Sequence, residues 1–571
     1  MKKRFCYFGI IITLIIMSCR SSPDYEKVGY APPDAFEPGS KYPYYGSFAK
    51  RGFGESEFIK KTLRLYKRRG QYLMREIVHG RAKKAARYSR KLLAENPDDP
   101  EFMYTLCVAQ CRVGDIKGAV QSMKNALAKG LPFGRFLAGP RDLLRPLTQT
   151  KAFKEIAARY DIQLIHGPLL GCVTDKSARF WVRTVNESPV QVWVSRSRHM
   201  THPIKSNVRN SDANKDFTAV VSVSGLQPAT VYYYDVIIDG KSELGPAYPS
   251  FRTYPPKGQK AHFQVGFGGG AGYVPSHERM WDVIRSHHPI AFLFMGDNVY
   301  LDMPEPLNGA QYYTYYRRQS RPEFRRLVSS TSIYAIWDDH DCATNDVFMG
   351  PYKDKPNWKM SMFYLFRENW NNPGYGDADW PGTWFRFSIG DVDFFMLDDR
   401  FYRTNPHAEN PTMLGPVQKA WLLKQLKASK ATFKVIASGV PWAFGAKGNS
   451  LDTWNGYREE RNEIFKFLAK NRMNGIVLLS ADRHRSDVWR IERSDGYPLY
   501  EFESSRLTNQ HVHKVMPGSL FGYNKKQSFG LLTFDTTLPD PTVTYQIFSI
   551  DNELIYTVKV KLSEISYKQS K

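Results

Sequence analysis

Apolar and polar positions fall into three successive regimes along the 571-residue chain. Between about 58 and 160 the spacing predicts helices, and the pattern repeats. Gly80 and Gly114 are 114 − 80 = 34 positions apart, as are Ala85 and Ala119, Leu93 and Leu127, and Ala94 and Ala128. Asn96-Pro97-Asp98-Asp99-Pro100 breaks one unit from the next. From 165 to 254 the pattern becomes strand-like. Residues 190–194 alternate as a half-buried strand does, residues 217–223 do so in part, and residues 231–238 run into a turn at Asp239-Gly240. Beyond about 260, short apolar runs alternate with helical segments, the α/β signature. The helices are expected at 278–285, 418–426 and 459–469, and strands at 392–397, 433–437, 542–547 and 555–560.

Three of the apolar runs end on clustered acids and histidines. Residues 291–295 lead to Gly296, Asp297, Asn298 and Tyr300. Residues 334–337 lead to Asp338, Asp339, His340 and Asp341, then Asn345 and Asp346. Residues 475–480 lead to Asp482 and His484. Strand ends of one sheet converge on one place, and carboxylate, phenolate and imidazole donors gathered there are a metal's requirements. Asp297 is suited to bridge ions, and Tyr300, three residues on, to reach one of them. Asp482 and His484, as alternate residues, are expected on one face of the strand end.

Composition narrows the classes. Hydrophobic residues make up 42% and aromatics 14%, which excludes a disordered chain and requires large cores. Lys and Arg exceed Asp and Glu by 80 − 56 = 24, a balance that favours anionic partners such as phosphorylated substrates, lipid headgroups or glycans. No recognition motif accompanies this charge, so nucleic acid is not the expected partner. Of six cysteines, Cys6 and Cys19 lie in the leader. Cys107 and Cys111 have poor disulfide spacing on one helix, and with Cys172 and Cys342 they are expected to be buried thiols.

The leader Met1–Met17 is basic, then apolar, and Ile16-Met17-Ser18-Cys19 resembles a bacterial lipobox. That resemblance implies lipid attachment at Cys19 and a membrane-anchored protein of the cell envelope, facing the periplasm or seated on the outer membrane. The 34-residue period resembles tetratricopeptide helix pairs, a module for packing or for docking a protein partner. The 165–254 strands resemble a fibronectin-III-like sandwich.

The three acid clusters, in this order, resemble metallophosphatases of the alkaline phosphatase D (PhoD) type. Gly167-Pro168, Gly171, Phe180-Trp181, Leu397-Asp398-Asp399-Arg400, Arg403, Gln418, Trp421, Asp452, Trp454, Gly456-Tyr457 and Ser528-Phe529-Gly530 agree with that family. The resemblance implies a multidomain chain with a four-layer α/β/β/α metallophosphoesterase core at 257–571. It would be preceded by a signal peptide at 1–19, a tether at 20–57, a tetratricopeptide-like segment at 58–162 and a fibronectin-III-like β-sandwich at 163–256. It further implies iron and calcium as cofactors, a phosphoester substrate, and Asp297, Tyr300, Asp339, Asn345, Asp482 and His484 as the metal's neighbours. His340 would assist the phosphoryl group, Arg400 and Arg403 would neutralise developing charge, and Asn298 would face the substrate.

One departure stands out. The family carries a cysteine metal ligand at the end of its first catalytic strand, and this chain has Gly268-Gly269-Gly270 there, with Gly272 following. Gly269 and Gly270 could instead turn backbone N–H groups toward an anionic oxygen. Two alternatives to a phosphatase follow: a phosphodiesterase or phospholipase acting on envelope polymers or lipids, and a metal-poor binding protein.

Overall fold

The computed structural model describes residues 65–302, 304–305 and 307–568. The leader, Cys19 and the tether lie outside the described residues. Two large sheets dominate. The nine-stranded sheet runs, edge to edge, through Leu554–Lys561, Thr542–Ser549, Ser528–Asp535, His262–Gly268, Ala291–Met295, Ser332–Ile336, Leu164–Gly171, Ser177–Thr184 and Thr218–Ser224. The seven-stranded sheet runs through Phe385–Ile389, Val392–Met396, Phe433–Ala437, Ile476–Ser480, Leu499–Ser504, Ser486–Ile491 and Phe521–Tyr523.

Period-2 alternation explains how they stack. Leu293, Met295, Tyr334 and Ile336 face the second sheet and share one core with its Phe394, Ile436, Leu478 and Phe502. Their neighbours Phe292, Phe294, Ile333 and Ala335 face the other way. There they pack on the helices Met280–Ser286, Pro322–Ser330 and Lys359–Asn369. Leu422 and Leu426 of Gly415–Ala428, with Ile464 and Leu468 of Arg458–Lys470, cover the second sheet. Strands buried on both faces read as unbroken apolar runs, so 291–295, 332–336 and 476–480 are buried at every position.

The β region at 163–256 is not the free-standing sandwich that the alternation suggested. Its strands Leu164–Gly171, Ser177–Thr184 and Thr218–Ser224 extend the nine-stranded sheet, joined to it by parallel pairing of Gly171 with Ile333. The six strands of a third sheet, with Pro189–Ser195 and Val231–Ile238 at its centre, close over them. The reason lies in Leu164–Gly171, which is buried along all eight residues and needs partners on both edges. Arg183, fully buried, then pins this region to the core. It reaches His166 Nδ1 (2.8 Å), Gln319 Oε1 (2.6 Å), Asn369 Oδ1 (2.9 Å) and Asp216 (3.0 Å).

Ahead of these sheets, helices Tyr66–Val78 and Ala82–Glu95 are followed by Pro100–Val113 and Ile116–Ala128. The pairs start 100 − 66 = 34 and 116 − 82 = 34 residues apart. Gly80 and Gly114, at φ +80° and +82°, supply the left-handed turn after the first helix of each pair. Asp99 caps Pro100–Val113 through the Glu101 and Phe102 amides. Buried Arg135 binds Glu101 at 2.6 Å, and Tyr313 of the core helix Gly309–Gln319 donates to the same carboxylate at 2.9 Å. The helical segment is thus fastened to the core by the Tyr313 hydroxyl, bonded to a charge pair buried within the segment. No described helix is long and apolar enough to cross a membrane, and the four described cysteines are free and buried.

Removing one partner of a buried pair strands the other charge. Arg183→Met is therefore expected to cost about 3–5 kcal/mol. Calorimetry should show 164–254 unfolding together with the core. A separate transition for these residues, unaffected by the substitution, would refute their integration.

Candidate active site

The first and third acid clusters leave their strands on backbone that few side chains adopt, and the loops that follow the first and second contain further such residues. Asp297, Asp482 and His484 have φ of +55°, +66° and +50°, and Asp302 and Asp346 both have +60°. Such conformations cost about 1–3 kcal/mol each and persist where packing over-determines them. These turns aim the side chains into the gap between the two sheets' carboxyl ends.

The centre is Asp297. Its Oδ2 accepts from the Tyr300 hydroxyl at 2.7 Å and lies 3.7 Å from His484 Nε2. Tyr300 Oη and His484 Nε2 are 3.1 Å apart, and Asn509 Nδ2 touches both, at 2.5 and 3.2 Å. Ligand atoms of Asp297, Asp339 and His340 lie within 4.8 Å of one another. Asp297 Oδ1 and His484 Nδ1 are buried with no hydrogen-bond partner, so this donor set is incomplete without a further group. Burial pushes Asp297 up to about 7, with Asp339 and Asp482 adding and His340 opposing. Burial and the nearby Lys67 hold His484 well below the ordinary range, a neutral imidazole fit for a metal.

His340 is held separately. Its Nδ1 meets Asp302 Oδ1 at 2.6 Å, which leaves Nε2 for an incoming oxygen. Burial lowers its pKa, but Asp339, Asp297 and Asp302 outweigh that and raise it to about 9. Asp302 itself is gripped by Arg68 at 2.6 and 3.0 Å and by Gln71 at 3.1 Å.

Several expected roles change. Asp482 does not join His484, because the strand stops at Ser480 and the following turn rotates the two apart. Its Oδ2 lies 3.2 Å from both Lys447 Nζ and Arg483 Nη1. Arg400 and Arg403 do not face a substrate. Arg400, fully buried, binds Asp338 and, at 2.6 Å, Asp452, while Arg403 binds Asp452 at 2.9 Å and the Tyr457 hydroxyl. Both arginines neutralise acids. Asn298 spends its amide on Ile336 O (2.8 Å) and Asp341 (3.2 Å), so it holds the turn instead of a ligand. Asn345 is half-buried in the loop where the Asp346 amide caps Asp339 Oδ2 at 2.6 Å. Cys342 donates its thiol to the Asp338 and Asp339 carbonyls and is no substitute ligand.

Gly269 and Gly270 form no anion nest. The Gly269 amide goes to Ser504 O, the Gly270 amide to Gly296 O and the Ala271 amide to Asp297 O. These bonds and the Gly269–Ser505 bridge stitch the ends of the two sheets together. A Cβ on Gly269 would stand 2.7 Å from Ala481 Cβ and 2.9 Å from Gly296 O, so the contact admits no side chain.

An oxygen cluster of Asp339, Asp346 and Asp452 lies beside the centre. It already carries a cation: Lys447 Nζ is 2.6 Å from Asp452 and 3.2 Å from Asp346. This ammonium compensates the clustered carboxylates. A third group was not read from the sequence. His511 and His513 close on His484, with ligand atoms within 4.8 Å, and burial lowers them to about 4 and about 3. The His-x-His spacing was the available signal. Asn509, Asp302, Lys447 and Asp452 carried none that local pattern shows.

Comparison with known proteins agrees with the geometry. Residues 265–529 match the family model "PhoD-like phosphatase", and 161–255 match a domain of unknown function, DUF7800. Alkaline phosphatase D of Bacillus subtilis (strain 168) is 23% identical over 347 residues, 52% of this chain and 58% of that protein. The matched part therefore spans less than two thirds of that relative. A solved structure of PhoD superposes with a TM-score of 0.56 at 17% identity, covering 69% of this chain and 91% of the other. Purple acid phosphatase PPD1 from yellow lupin (Lupinus luteus) superposes at 0.51 and 12%, covering 72% and 78%. These two likenesses show a shared fold.

A side chain at Gly269 should not be accommodated. Gly269→Cys is expected to cost about 1–3 kcal/mol through overpacking and to bind no more metal than the parent. A variant of undiminished stability and raised metal content would overturn this account of the glycine.

Proposed function

We propose that this chain, a member of the PhoD-like phosphatases through residues 265–529, hydrolyses phosphate esters with the help of bound metal. The observation that carries this reading is the meeting of Asp297, Tyr300 and His484 with Asp339 and His340, two of whose buried ligand atoms lack any partner. Asp297, Tyr300 and His484 would hold the ion, with His511 and His513 close enough to contribute. Phenol, carboxylate and neutral imidazole suit iron. A bound metal supplies a nucleophile at neutral pH and polarises a phosphoryl oxygen.

The protein's own groups do the rest. His340, fixed through Nδ1 by Asp302, presents Nε2 to the phosphoryl group and can deliver a proton to the leaving oxygen. Asp339 holds the first turn after its strand by accepting the His340 and Asp346 amides. Arg400 and Lys447 keep Asp452 charged and hold the surrounding carboxylates in place. A lipid anchor at Cys19 would hold the enzyme at the cell envelope, where its net positive charge favours anionic substrates. The tetratricopeptide-like reading of the helix pairs, and docking of a protein partner on them, is supported by their 34-residue offset.

Purified protein should contain metal by elemental analysis and cleave chromogenic phosphate mono- or diesters. Asp297→Asn should lose both metal and activity. His340→Ala should retain metal yet slow turnover by about 10²–10⁴-fold. A metal-replete protein inactive on both ester classes, or one indifferent to Asp297→Asn, would sink the assignment. Palmitate labelling that survives Cys19→Ser would rule out the anchor.

A further inference from the structure

The helix Tyr66–Val78 lies ahead of both matched regions, yet its first turn enters the active site. Gly70 permits the approach, since a Cβ there would sit 2.1 Å from the Tyr313 hydroxyl. The turn is then tethered on three sides. Arg317 donates to Lys67 O at 2.9 Å, Tyr66 donates its amide to Gln510 Oε1 at 3.1 Å, and its hydroxyl to Asp99 at 2.8 Å. Lys67 is consequently 2% exposed, with Nζ 3.4 Å from the centroid of the Tyr300 ring. Its stem crosses Gly272, where a Cβ would stand 2.8 Å from Lys67 Cδ.

Two of the three basic residues of this turn enter the site and are used differently. Arg68 is fully engaged with Asp302, which orients His340. The Lys67 ammonium makes no hydrogen bond or ion pair with any described residue; its one polar contact is the Tyr300 ring face. A buried ammonium with three unspent donors is costly unless an anion meets it. The anion that fits this place is one that enters the site.

We propose that Lys67 binds a non-bridging oxygen of the substrate's phosphoryl group. Arg68, acting through Asp302, is a positioning residue for His340. The helical segment is then part of the active site, and its first turn recognises the anionic phosphoryl group common to mono- and diesters. This rests on the phosphoesterase reading of the same site. In the absence of that reading, Lys67 still predicts an affinity for inorganic phosphate.

Titration calorimetry of the full chain with inorganic phosphate, with and without added metal, tests it alongside ester hydrolysis. Lys67→Met should weaken phosphate binding and lower kcat/KM by about 10- to 100-fold, the size of one hydrogen bond to a charged group. The denaturation midpoint should not fall, because the substitution removes a buried charge, and Lys67→Arg should recover most of the binding. Arg68→Met should lower kcat with phosphate affinity retained. Phosphate binding by Lys67→Met equal to the parent's, or faster hydrolysis, as removal of a plug would give, overturns the proposal. A parent protein that binds phosphate through Lys67 but hydrolyses no ester would instead defeat the hydrolase reading alone.

Discussion

Everything near the strand ends depends on one electrostatic constraint: many carboxylates are buried together and must be compensated. Desolvating a carboxylate is costly, and an opposing charge offsets the cost only in good geometry. Arg400 bridges Asp338 and Asp452, Lys447 bridges Asp346, Asp452 and Asp482, and Arg68 grips Asp302. These cations come from segments far apart in sequence: the first helix, the loop after Met396, and the loop before Asp452. The ion pairs therefore fasten loops as much as they stabilise acids. They explain why this α/β fold can carry so many charges between its sheets without melting there.

Against that background the unpaired groups stand out. Asp297 Oδ1 and His484 Nδ1 lack partners, and the Lys67 ammonium meets only an aromatic face. Asn298 Oδ1 and Asp338 Oδ2 nearby are unpaired too, so the centre as a whole offers free oxygen and nitrogen atoms to a molecule that enters. The free Asp297 oxygen and the Lys67 ammonium, both beside Tyr300, form a complementary pair of sockets, one for a cation and one for an anion. A phosphoester held against a metal presents both charges in that order.

The large elements were legible in the sequence because a buried strand cannot disguise its apolar run. Residues 291–295, 433–437 and 476–480 sit where the runs are. Convergence of the acid clusters was legible too, because strand ends of a sheet share an edge. Individual roles were less so. Spacing placed Asp482 with His484, but a left-handed turn separates them. Spacing also cannot show that Arg400 will find Asp452, fifty-two residues on, or that strand 164–171 will join the catalytic sheet. Lys67 was invisible for a plainer reason. In an amphipathic helix rich in Lys and Arg, nothing local distinguishes the basic residues that point inward from those that face solvent.

The glycine run connects these strands of argument. Losing a cysteine ligand would ordinarily suggest decay of a metal site. Here the surrounding backbone has closed over the vacated space. Gly269 lies against Ala481 and Gly296, and its amide ties the first sheet to the second. Gly272, three residues on, leaves room that the Lys67 stem occupies. Any side chain at 272 would contest that path, and any at 269 would wedge the sheets apart. The same stretch that gives up a thiolate thus admits a positive charge from outside the catalytic fold. A thiolate adds negative charge to the ion it binds, whereas an ammonium adds positive charge toward the substrate. On the proposed role of Lys67, this exchange would shift the balance of the site from holding metal toward holding the phosphoryl anion, with the amino-terminal helix contributing to a centre built mainly on the α/β core.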